Sequence, residues 1–67
     1  MTDLEIAFEN FKFNFQNLTE EQHNEVLRHI SVSLGEFQKA SGMTPTDGSI
    51  YRTMVLCAKM LKYIPNE

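Results

Sequence analysis

A single cysteine, Cys57, in a chain of 67 residues sets the strongest limit on how this protein can fold. A domain this short gains only about 3–5 kcal/mol from its own core unless something staples it. A disulfide within the chain needs a second thiol, and a cysteine-rich zinc site needs several. Stability must therefore come from side-chain packing, and self-association is the remaining way to add to it.

The apolar residues recur with the period of helices. Thr2, with Glu5 three residues on, has the spacing of a capping box, which starts a first helix. Leu4, Phe8, Phe11, Phe15 and Leu18 follow at alternating steps of four and three, forming one stripe along that helix. Ile6 and Phe13 fall on the opposite side, where a surface helix is normally polar, and so call for a second partner. Phe11, Phe13 and Phe15 also alternate with period two, as a short strand would. The helix is the better expectation, because no second strand offers itself for pairing.

Thr19 to Gln22 forms another capping box, with Glu20 and Glu21 where the helix dipole favours acids. The second helix carries Val26, Leu27, Ile30, Leu34 and Phe37 on one stripe, and Lys39 followed by Gly42 signals its end. Gly35 should weaken it locally. Ser41 to Gly48, rich in turn formers and containing Pro45, reads as a loop.

Ser49 to Ile64 is then apolar on most sides. Ile50, Met54, Cys57, Leu61 and Ile64 form its main stripe, flanked by Tyr51, Val55 and Ala58, and Pro65 closes it. A helix so widely apolar belongs at the centre of a bundle. The expected fold is all-α: one domain over residues 1–67, a small three-helix bundle completed by self-association into a homo-oligomer.

Charge is unevenly spread within the net −3. Residues 1–38 carry seven acids against Lys12 and Arg28, whereas 39–67 carry four bases against Asp47 and Glu67. An acidic front half repels duplex phosphate, so nucleic acid is not an expected partner. A helix-turn-helix reader of DNA is disfavoured further, since the third helix offers Arg52 alone near its start. The absence of a leader-like segment or a long apolar run, together with the lone cysteine, leads us to expect a reduced, cytoplasmic protein with no membrane partner. In that setting the sequon Asn17-Leu18-Thr19 is a chance match.

Few residues have the spacing that chemistry needs. His23 and His29 are six apart, unlike an i, i+4 metal pair, and Glu25 with His29 reads as a solvated surface pair. Cys57, on the third stripe, reads as core. Glu20, Glu21 and Glu25 are better explained by a helix start and a solvated face than by a cation site. The phenylalanines lack the basic groove of a single-strand binder. The expectation is a binding protein, not an enzyme, with no cofactor. Ile6, Phe13, Val32 and Tyr63 lie off the main stripes and are the expected contacts to a protein partner.

Phe11-x-Phe13, Leu27-Arg28, Ser49-x-x-x-Thr53 and Ala58 resemble, in order and spacing, a family of small helical phage proteins that sequester cyclic nucleotides. The similarity covers roughly residues 11–60. The chain departs from the family pattern in lacking a His-Pro after the aromatics and in ending its last helix with Met60-Leu61-Lys62-Tyr63 instead of an alanine-rich run. The resemblance implies a phage-encoded symmetric oligomer that blocks anti-phage signalling by holding a cyclic dinucleotide. Phe13 would stack a base, Arg28 would face phosphate, and Ser49 and Thr53 would line the site.

Overall fold

Three threonines open the three helices of the computed structural model, which describes residues 2–65. Thr2 caps α1 (Asp3–Asn14), Thr19 caps α2 (Glu20–Ser41) and Thr46 caps α3 (Asp47–Met60), each accepting a backbone N–H from the third residue of its helix. The α2 box is reciprocal, because the Gln22 side chain also accepts the Thr19 N–H at 2.9 Å. At α1 only half of the box forms: the Thr2 hydroxyl donates to the Glu5 carboxylate at 3.1 Å.

The fold is the expected all-α bundle. Residues 11–14 are helical, and the side chains show why: Phe11 is fully buried while Phe13 is 73% exposed, on opposite sides, whereas a strand would send both to one side. The helix stops sooner than the stripe, at Asn14. Phe15 takes non-helical angles as its C-cap, and Leu18, beyond the helix, is buried as the chain turns into α2.

The third helix differs from expectation at both ends. It starts at Asp47, because Thr46 is a cap that the turn-forming composition of 41–48 concealed. It ends at Met60 and not at Ile64. There Lys62 adopts φ 64°, the Lys62 N–H bonds to the Lys59 carbonyl at 3.0 Å, and the Tyr63 N–H bonds to the Ala58 carbonyl at 2.9 Å. This is a Schellman ending with lysine in the place usually taken by glycine. It folds Tyr63 and Ile64 back onto the bundle, where Ile64 is buried.

The core draws Phe11 from α1, Val26 and Ile30 from α2, and Met54 from α3, all fully buried. α3 packs against both other helices, which touch each other little, so it takes the central place its apolar girth demanded. Ala7 and Ala58, both buried, keep side-chain bulk low where α1 and α3 pack. Asn14 Nδ2 donates to the Tyr51 hydroxyl at 3.2 Å, adding a polar link between these two helices.

Lengths then decide what stays uncovered. With a rise of about 1.5 Å per residue, the 22 residues of α2 run about 33 Å and the 14 of α3 about 21 Å. The molecule's longest dimension, 34 Å, is essentially that of α2. The second half of α2 overhangs the core, and of its apolar stripe Leu34 is half-buried and Phe37 remains 48% exposed. No helix among the described residues is long and apolar enough to cross a membrane.

Candidate functional site

Among the described residues, folding leaves six large apolar side chains exposed: Phe13, Val32, Phe37, Met43, Leu56 and Met60. Single exposed apolar residues are ordinary on any surface, so their arrangement matters more than their number. On α3, Ser49, Thr53, Leu56 and Met60 succeed one another at steps of four, three and four, and so share one stripe. That stripe borders α2, because Ser49 and Thr53 line a cavity of about 260 Å³ with Ser33, Leu34 and Phe37. The two helices thus form the walls of this cavity.

A second groove, about 450 Å³, continues from the first through the shared Ser33 and is lined by Glu25, Arg28, His29 and Val32. At its end Tyr63 donates its hydroxyl to the Glu25 carboxylate, joining the turn after α3 to the first half of α2. That hydrogen bond, with partial burial and the nearby carboxylate charge, raises the Tyr63 pKa from its ordinary value, while Arg28 opposes the shift. The i, i+4 pairing of Glu25 with His29 is replaced by this longer-range contact. Lys12 with Glu20, at 3.8 Å, is the one ion pair among the described residues.

The four expected protein contacts divide two and two. Phe13 and Val32 are exposed, at 73% and 64%, whereas Ile6 and Tyr63 are half-buried, and Tyr63 packs against the core. The residues implied by the phage-protein resemblance divide as well. Ser49 and Thr53 lie together in the smaller cavity, Arg28 lies in the adjoining groove, and Phe13, on α1, lines neither. The Thr53 hydroxyl donates to the Ser49 carbonyl at 2.9 Å, which leaves its oxygen as an acceptor only. The smaller cavity falls just below the range of about 300–1,000 Å³ typical of small-molecule sites.

His23 has a role that spacing arguments did not assign. It is buried, with Nε2 3.0 Å from the Phe15 carbonyl at the end of α1 and its ring edge-on to Phe11 at 5.7 Å. Donation from Nε2 satisfies one of the carbonyls a helix end leaves unpaired, and Nδ1 has no protein partner. The available signal was register: His23 lies three residues before Val26 and seven before Ile30, on the apolar stripe of α2. Cys57 is buried as expected, and desolvation raises its pKa.

Comparison with protein-family models, with curated proteins and with solved structures found no match to this chain.

Proposed function

We propose that this chain is a non-catalytic helical binding protein that acts by occupying the surface of another protein, as an inhibitor or adaptor. The observation that carries this reading is the exposure of Phe13 on the outer side of α1, while Phe11, two residues away, is fully buried. A phenylalanine presented to water costs solubility and adds nothing to the core, whereas a large, rigid aromatic is a typical anchor of a protein contact. The polar side chains point the same way. Thr2, Thr19 and Thr46 cap helices, Asn14 and Tyr51 link them, and His23 closes a helix end, so these polar groups serve the fold.

The test is quantitative affinity capture from the source cells with the parent chain and Phe13→Asp. The expected result is a protein retained by the parent and depleted at least about tenfold by the variant, the loss typical of an anchor residue worth 1.4 kcal/mol or more. Equal capture by both would contradict the reading.

A second reading, an oligomer that sequesters a cyclic nucleotide, is favoured by one observation: Ser49 and Thr53 meet Phe37 around a single cavity. Titration calorimetry with a panel of cyclic dinucleotides tests it directly. Binding weakened by Thr53→Val supports it, and no heat with any member of the panel removes it.

A further inference from the structure

The longest exposed run among the described residues starts inside a helix, at Gly35. Residues 35–49 are all exposed apart from a half-buried Pro45, and they lie between the half-buried Leu34 and the buried Ile50. The run thus leaves the bundle at one anchored point and returns at another. Its hydrogen bonds are local. The Ser41 hydroxyl donates to the Phe37 carbonyl at 2.8 Å, the Gly42 N–H to the Gln38 carbonyl at 2.8 Å, and the Met43 N–H to the Ser41 hydroxyl at 3.3 Å. Among the described residues, no hydrogen bond or ion pair ties residues 35–46 to a residue more than four places away.

The helix is also weakest where this run begins. Ser31, Val32, Ser33 and Gly35 are all poorer helix formers than alanine, and glycine costs about 1 kcal/mol. The Ser31 hydroxyl donates back to the Leu27 carbonyl at 2.9 Å, a contact that favours bending. Neither packing nor backbone angle requires glycine at 35: a Cβ there would meet nothing within 4 Å, and among the glycines only Gly42 has positive φ. A helical stretch as short as residues 36–41 is not stable through its own hydrogen bonds, so it depends on continuity with the first half of α2, which Gly35 weakens.

We propose that residues 35–46 form a flap, hinged at Gly35, that opens as a unit while the core of the bundle stays folded. Phe37 is its clasp. That side chain, still 48% exposed, walls the cavity of about 260 Å³ together with Ser33, Leu34, Ser49 and Thr53. Opening carries Phe37 away from Ser49 and Thr53, so the cavity exists only while the flap is closed. Local openings of this kind cost less than unfolding the whole domain, because they expose little apolar surface. The inference goes beyond the binding-protein reading, which rests on Phe13 of α1, and neither depends on the other.

The test is amide hydrogen exchange of the purified full chain, read residue by residue by NMR at about pH 7. Relative to unstructured-peptide rates, the amides of residues 36–42 are expected to exchange at least about tenfold faster than those of Val26 to Ile30. Gly35→Ala should slow exchange across 36–42 about fivefold, the ratio that corresponds to about 1 kcal/mol. Phe37→Ala should speed it by releasing the clasp. Tyr63→Phe weakens the bundle away from the flap, so it should speed exchange at Val26 to Ile30 and leave 36–42 unchanged. Equal protection in the two halves of α2, no effect of Gly35→Ala or of Phe37→Ala on 36–42, or a Tyr63→Phe variant in which both sets of amides speed up alike would each overturn the proposal.

Discussion

Tyr63 shows how one side chain can be half core and half switch of stability. Its ring packs on the bundle and its hydroxyl holds Glu25, so the folded state favours the protonated phenol and raises its pKa above the ordinary 10.0. A group whose pKa is raised on folding stabilises the protein fully below the unfolded value and loses that contribution as pH rises through the folded one. Tyr63→Phe is therefore expected to be less stable than the parent at about pH 8, with the gap closing above about pH 10. Urea unfolding at the two pH values measures it, and a gap that does not change with pH would contradict the assigned contact. Cys57, also raised on folding, loses stability in the same direction from about pH 9, but equally in both proteins.

At this scale the sequence was legible only in part. Cys57 as core and Phe13 as an outward residue follow from period alone. The contacts of His23 with Phe15 and of Tyr63 with Glu25 do not, because both depend on turns whose path no helical period encodes. The i, i+4 rule pointed Glu25 at His29, and a tertiary hydrogen bond from beyond the end of α3 displaced that pairing.

The helices themselves were plain in their starts and obscure in their ends. Threonine caps at Thr2 and Thr19 are local signals, readable from four residues, and the same chemistry at Thr46 was hidden in a run of turn formers. The Schellman ending of α3 was out of reach because its left-handed position holds a lysine. Nothing in Lys62 announces positive φ, and the apolar stripe continues to Ile64 across the break. Left-handed angles cost a residue with a Cβ about 1 kcal/mol or more relative to glycine. Lys62→Gly is therefore expected to stabilise the chain by about 1 kcal/mol, raising its melting temperature by roughly 4–8 °C in a domain of this size. Thermal unfolding at equal protein concentration reads this. No change, or a loss, would mean that the lysine makes a compensating contact or that the turn does not form.

On the scale of the whole molecule, three helices of unequal length cannot close around one another. α3 was correctly expected at the centre, since only a central helix can bury residues on so many sides. The sequence also carried the imbalance of charge between its halves. It did not reveal that Ser33, Leu34 and Phe37 of α2 meet Ser49 and Thr53 of α3 around one cavity, because that needs the pairing of α2 with α3 in space. Self-association was expected from the small core, and Ile6 and Phe13 on the far side of the first helix were expected to call for a second partner. The structure leaves Phe13 exposed on the outer side of α1, and Leu56 and Met60 exposed on α3.

Native mass spectrometry of the purified chain at about 10 µM tests that account most directly, because one spectrum reports subunit number and any small molecule retained. The account predicts the 7.8 kDa chain mass, or a multiple of it, with nothing added. A nucleotide-sized mass carried by the chain or by a multimer of it would contradict a protein that acts only on the surfaces of other proteins.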